Sequence, residues 1–311
     1  MNSTYVYLTG GLGNQLFQVA AALNNREING GKVILDISLG RPRTTEEKAD
    51  VLHLKLPAEV SFFSRGASVL SQKAAGFLLR MGINPTPFER NMLINFILRS
   101  LGQLIFSLRY KKLTSIEISK DVGFSELDRK ANTLLLGYFQ SYKYLQNPTV
   151  RREIDQVLPK EKTDRLERLI NEAKKQKPIF VHVRLGDYLD EEHFGTPSKS
   201  YYYNSLIRLE GQERKIWVFS DDITLAKKRM PSEFNSQYFY VDDSGLSPAQ
   251  LLQLLRYGED YVIANSSFSW WGAALSLKKD SKVIAPEPWF AGMPEPKDLI
   301  PPHWYREKAY L

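Results

Sequence analysis

The chain of 311 residues contains no cysteine. Disulfides and thiolate metal sites are thereby excluded, and a reducing compartment is expected. No apolar run reaches the roughly 18–20 residues needed to span a bilayer. The opening residues Met1-Asn2-Ser3-Thr4 have neither a basic n-region nor an apolar h-region, so no signal peptide is expected. Repeats and low-complexity tracts are also absent. Acid is scarce in one region. Between Val60 and Lys112 the only acidic residue is Glu89, against Arg65, Lys73, Arg80, Arg90, Arg99, Arg109, Lys111 and Lys112. That segment's balance of +7 equals the balance of the whole chain.

What remains is ordinary for a soluble globular protein: 43% hydrophobic and 25% charged residues. Eight short apolar runs read as strands: 5–8, 33–36, 134–138, 179–183, 216–219, 238–241, 261–264 and 283–285. Helical patterns alternate with them at 14–28, 163–175, 223–229 and 248–257, and one runs from 266 through Lys278. Alternating strands and helices over this length argue for α/β domains. The basic region carries two further helical stretches, 67–81 and 93–106, and reads as a helical insertion in the N-terminal half. One reading seats its basic, amphipathic helices on an anionic membrane surface. The plainer reading, a helical subdomain with a solvated basic face, is preferred at this level, because periodicity does not separate the two. One basic region without a recognised motif does not argue for nucleic acid.

Chemistry gathers in four turns, each following a strand. The most informative is His-Val-Arg-Leu-Gly-Asp-Tyr at 182–188. His182, Arg184 and Asp187 fall at or just past a strand's carboxyl end, where ligands bind in open α/β sheets. Arg184 is a permanently charged fork suited to phosphate or carboxylate; a structural Arg–Asp pair is the bland alternative. The turn Thr9-Gly10-Gly11-Leu12-Gly13-Asn14-Gln15 opens a helix and favours an anion. It is not a dinucleotide fingerprint, because Leu16 stands where a third Gly would be needed. The alternative is a tight turn with an Asn N-cap. At Phe219-Ser220-Asp221-Asp222 a carboxylate could accept hydrogen bonds from a base edge or a ribose, or could simply cap the next helix. Asn265-Ser266-Ser267-Phe268-Ser269 opens another helix with hydroxyls and backbone N–H groups. Trp270 and Trp271 behind it read as core or wall. The set suits a nucleotide diphosphate without a metal, with Arg184 neutralising charge on a departing phosphate.

The order and content of these segments resemble the bacterial α-1,2-fucosyltransferases over nearly the whole chain. Gly10 to Gln18, His-x-Arg-x-x-Asp-Tyr at 182–188, Phe-Ser-Asp-Asp at 219–222 and Asn-Ser-Ser-Phe-Ser-Trp-Trp-Gly-Ala at 265–273 carry the resemblance, with a similar tail around Trp289 and Trp304. The resemblance implies a GT-B fold, two Rossmann-like domains facing across a cleft. Residues 1–160 would take the acceptor and 161–311 GDP-fucose. It implies inverting, metal-independent and cofactor-independent transfer of L-fucose to the 2-hydroxyl of a galactose-terminated glycan. Arg184 would bind the β-phosphate and assist departure, with His182 beside the donor. Asp221 or Asp222 would read guanosine. Asn265, Ser267, Phe268 and Ser269 form the phosphate segment, and Gly13 and Asn14 approach the reacting sugar. Leu185 stands where the family usually has a second Arg. The general base is open among Asp187, Asp190, Glu191, Glu192 and a donor phosphate oxygen. Location is expected in a bacterial cytoplasm, on lipid-linked O-antigen or other surface-polysaccharide precursors at the inner face of the membrane. Three competing readings are another GDP-sugar transferase, a non-catalytic nucleotide-sugar or glycan-binding protein, and a peripheral membrane protein built on the basic helices.

Overall fold

The computed structural model describes residues 2–38, 50–83, 92–110, 112–119, 122–188 and 193–310. They fall into two compact units, residues 1–157 with Pro296–Leu299, and Leu158–Glu295 with Ile300–Leu311.

The first unit runs β1 (Ser3–Tyr7), α1 (Leu12–Asn29), β2 (Lys32–Asp36), β3 (Val60–Phe63), α2 (Val69–Ile83), α3 (Met92–Ser107), β4 (Ser115–Ile118), β5 (Thr133–Leu136) and α4 (Pro148–Asp155). Its sheet has the order β3-β2-β1-β5-β4, every neighbour parallel. β1 lies where the order turns back, so the glycine turn that follows it opens at a switch point. α1 is buried along most of its length, and its polar residues are matched rather than solvated. Asn25 Nδ2 donates to Thr4 Oγ1 at 2.8 Å, and Arg26 pairs with Glu153 at 2.8 Å. The segment Pro296–Leu299 completes this unit. The Asp298 carbonyl accepts from Ser141 Oγ at 2.8 Å and from Tyr142 N at 3.0 Å, while its carboxylate meets Lys143 at 2.8 Å.

α2 and α3 are the crossover between parallel strands β3 and β4, so the expected insertion is part of the sheet's own topology. Ala75, Leu78, Met81 and Phe106 pack with Tyr5, Tyr7, Ile116, Leu134 and Leu136 over one face of the sheet. Full burial of each such large apolar side chain is worth about 1.5–3 kcal/mol. Arg109, from the same basic stretch, is not solvated. Its guanidinium pairs with the fully buried Asp36 at 2.7 Å, and the Tyr110 hydroxyl donates to that carboxylate at 2.5 Å. Burial first, and the Asp36 charge second, push the Tyr110 phenol well above its ordinary range.

The second unit runs α5 (Asp164–Gln176), β6 (Ile179–Val183), α6 (Lys199–Arg208), β7 (Ile216–Ser220), α7 (Ile223–Arg229), β8 (Tyr238–Tyr240), α8 (Pro248–Leu255), β9 (Asp260–Val262), α9 (Ser267–Ala274), β10 (Val283–Glu287) and β11 (Tyr305–Lys308). The sheet order β8-β7-β6-β9-β10-β11 is parallel throughout. Renumbered from β6, this is 3-2-1-4-5-6, the doubly wound order of a Rossmann fold, with its switch point between β6 and β9. Ser247 and Gln250 form a reciprocal capping box on α8, with Pro248 in its first turn. α9 ends at Ala274, short of the expected Lys278. Past it, Leu277 N donates to the Arg256 carbonyl at 2.9 Å and Ser276 Oγ accepts from Lys278 N at 3.2 Å, which turns the chain out of the helix.

Candidate active site

Three of the four turns meet at the switch point of the second sheet. β6 is buried along all five residues, and the chain leaves it at Arg184. The Arg184 side chain keeps 31% of its surface open to solvent. Its guanidinium lies 3.1 Å from Asp221 Oδ2, and its Cζ sits over the Tyr188 ring at 5.3 Å from the centroid. The other Asp221 oxygen accepts from Leu185 N at 2.9 Å. One carboxylate therefore holds both the backbone of the β6 turn and its cation. Gly186 is needed beside it, because a Cβ there would lie 2.5 Å from Asp221 Oδ2.

Asp222 does something different. It is the N-cap of α7, its Oδ1 accepting from Leu225 N at 2.9 Å. Leu185 points away from the arginine into the core, packed with Tyr201, Tyr202 and Ile284. Strand-end alternation places residues 184 and 185 on opposite sides, and they are found so.

His182, the residue before the strand's last, is buried. Burial first, and the Arg184 charge second, push its imidazole down to about 4, with Asp221 opposing. The ring is thus neutral near pH 7. Its Nδ1 is buried without a hydrogen-bond partner, and its ring centroid lies 6.3 Å from that of Phe268. Tyr202, from α6, donates its hydroxyl to the His182 carbonyl at 3.3 Å.

Phe268 stands in the first turn of α9, whose N-cap Ser266 makes no side-chain cap. The first backbone N–H groups of a helix have no intrahelical acceptor. Ser267 and Phe268 are partly exposed there. Ser269 turns inward, donating to the Ser266 carbonyl at 3.0 Å. Asn265 is almost wholly buried. Its Nδ2 donates to the carbonyls of Phe194 (2.9 Å) and Gly195 (3.0 Å), and lies 3.1 Å from the Tyr310 hydroxyl. Tyr188 closes the ring of turns by donating its hydroxyl to the Asn265 carbonyl at 3.2 Å. Trp270 and Trp271 are fully buried behind, as wall. Asp187 lies in the short 3-10 turn Gly186–Tyr188, whereas Asp190, Glu191 and Glu192 lie outside the described residues.

The fourth turn belongs to the first unit. Gly10 adopts φ +73°, and a Cβ on it would strike the Asn14 amide. Gly11, not Asn14, is the N-cap of α1, and it makes no side-chain cap. Asn14 Oδ1 accepts from Gln140 Nε2 at 2.8 Å. Gln15 is bound on both sides, donating to the Gly10 carbonyl (2.8 Å) and accepting from Val51 N (2.9 Å). Gln18 ties Thr9 to the Gly137 carbonyl at 3.0 Å. Gly13 is buried beneath. The polar residues on this helix start are fasteners for three loops. Gln140, Tyr202 and the Phe194–Gly195 loop carried no local signal; each lies far in sequence from the residue it holds.

The sequence profile of glycosyl transferase family 11 matches residues 3–306, nearly the entire chain. The chain belongs to glycosyl transferase family 11. Two Escherichia coli relatives span this glycosyltransferase almost end to end. One, O-antigen biosynthesis glycosyltransferase WbnK, is 26% identical over 308 residues, covering 93% of this chain and 95% of that one. The other, an alpha-1,2-colitosyltransferase, is 29% identical over 298 residues and covers 93% of each chain. Among solved structures, the fucosyltransferase NodZ from Bradyrhizobium aligns with the enzyme at 13% identity and TM-score 0.48, over 88% of this chain and 93% of that one. Among the described residues of the family 11 enzyme, no helix is long and apolar enough to cross a membrane.

Proposed function

We propose that this glycosyltransferase moves L-fucose from GDP-fucose to the 2-hydroxyl of a galactose in a surface-polysaccharide precursor such as O-antigen, with inversion and without a metal. The observation that carries the reading is the part-open Arg184 guanidinium over the Tyr188 ring, whose hydroxyl reaches the Asn265 carbonyl just ahead of α9, at a Rossmann switch point. A cation and a helix N-terminus converging there make a diphosphate cradle. In the transfer, the bond from the acceptor oxygen to the sugar C1 forms as the bond from C1 to the β-phosphate oxygen breaks. The electron pair leaves on GDP, and the hydroxyl proton goes to a base, with Asp187, Asp190, Glu191, Glu192 and a donor phosphate oxygen as the candidates. Arg184 meets the charge that develops on the leaving oxygen.

Neutral His182 lines the donor without competing for the phosphate as a second cation. Asp221 already spends both oxygens on Arg184 and Leu185. Asp222 spends one on its helix, so it is the better placed of the two to accept from a guanine edge or ribose. The donor occupies the second unit. Gly13 and Asn14, in the first unit, are the residues that approach the reacting sugar.

The test is GDP release by purified protein in EDTA, with GDP-fucose and a panel of β-galactosides. Release that depends on one acceptor, with the product linkage read by NMR, supports the reading. Loss of rate in EDTA that Mn²⁺ restores removes the metal-free mechanism. The 29% identity to an alpha-1,2-colitosyltransferase supports one second reading, a colitosyl donor, which a donor panel separates. Tight GDP-fucose binding with no turnover on any acceptor would favour a binding protein.

A further inference from the structure

We infer that the outer face of the α2–α3 hairpin rests on an anionic bilayer surface. A crossover helix normally turns its apolar stripe to the sheet and its polar face to water. α3 does the first and not the second. Gly102 and Phe106 face inward, where a Cβ on Gly102 would lie 2.7 Å from Leu78 of α2. The opposite face carries Leu93, Phe96, Ile97, Leu101 and Leu104 at helical spacing, with Leu108 just beyond. Exposure there is 67% at Leu93, 68% at Phe96 and 64% at Leu104. Scattered exposed apolar residues need no explanation, but a continuous stripe on one helix face marks an interaction surface.

Charge identifies the partner. Neither helix contains an acidic residue. On α2, Leu70, Lys73, Phe77 and Arg80 share one exposed face, and the Arg80 guanidinium covers the Phe77 ring at 5.2 Å. Apolar residues interleaved with cations are what an anionic lipid surface takes, apolar groups into the acyl boundary and cations at headgroup level. A two-fold pairing of the same face with a second copy would bury cations from both copies with no acid on either helix to pair them, which disfavours self-association. The 16 residues of α3 measure about 24 Å along the axis, with Arg99 near the middle, so the helix lies along the surface rather than through it.

Vesicle flotation of the full chain tests this. Vesicles of phosphatidylcholine with phosphatidylglycerol are compared with phosphatidylcholine alone, at low and physiological salt. Binding is expected to the anionic vesicles only, weakening with salt. Phe96→Gln with Leu104→Gln should weaken it by about tenfold or more, and Lys73→Glu with Arg80→Glu likewise. All four side chains are exposed, so thermal midpoints and GDP release on a soluble acceptor should stay at wild-type values. Equal binding to neutral and anionic vesicles, or none to either, overturns the inference. So does a doubled mass by light scattering that Phe96→Gln with Leu104→Gln abolishes, which would make the face a contact between copies. GDP release and vesicle binding are independent readouts, so failure of one leaves the other to be judged by itself.

Discussion

At the scale of single residues, the site turns on one guanidinium and what holds it. Arg184→Ala should lower turnover by about 10²–10³, the usual loss on removing one preorganised charge-stabilising donor. Arg184→Lys should recover only part, since a point charge replaces a planar fork. Wild-type GDP release by the alanine variant would remove Arg184 from the phosphate. His182 gives a pH prediction. Its folded pKa is pushed from 6.5 down to about 4. Between those values the unfolded chain binds a proton that the folded one refuses, so stability is full above about 6.5 and falls as pH drops toward 4. One proton sets a ceiling of about 1.4 kcal/mol per pH unit. His182→Gln should flatten that decline in thermal midpoints measured from pH 7 to 4.5. An unchanged slope would show that other groups govern it.

At the scale of elements, α9 depends on close approach to α8. A Cβ on Gly272 would lie 2.9 Å from Leu255 Cβ. Gly272→Val should therefore cost about 1–3 kcal/mol by overpacking, read as a lowered denaturation midpoint. A midpoint equal to the parent's would mean that the helices part without penalty. Trp270 and Trp271, as core or wall, were legible in the sequence. So were the eight strands. Seven are central, and central parallel strands, buried on both faces, read as continuous apolar runs. β8 lies at an edge and was read from its aromatic run Tyr238-Phe239-Tyr240. In the two large sheets, the strands that escaped are β3, β4 and β11, all at sheet edges. An edge needs no unbroken apolar run, and Tyr305-Arg306-Glu307-Lys308 has almost none. In the site, residues at strand ends were legible and their fasteners were not. Gln140 reaches Asn14 from 126 positions away, and nothing local announces it. The exposed apolar face of α3 was hidden in the sequence for the same reason. Periodicity reported two sides to α3 but not which side the sheet had claimed.

At the scale of the whole molecule, the two units have separate apolar cores, one around Tyr5, Phe106 and Leu134, the other around Val181, Tyr201 and Val218. A ligand of one unit should therefore protect that unit first. GDP at a hundred times its Kd adds about 2.7 kcal/mol to the state that binds it. Hydrogen exchange should slow at β6, β7 and β9 and change little at β1 and β2. The reverse pattern would move the donor to the first unit. The boundary between the units is crossed more than once, because Pro296–Leu299 returns to the first and Ile300–Leu311 goes back to the second. This has a consequence for biosynthesis. Domains emerging from a ribosome fold as units, N-terminal first. Here the Ser141 hydroxyl, the Tyr142 amide and the Lys143 ammonium wait for Asp298, which is translated only after nearly all of the second unit. The unit that is made first is thus the one that cannot be finished until most of the second has been made.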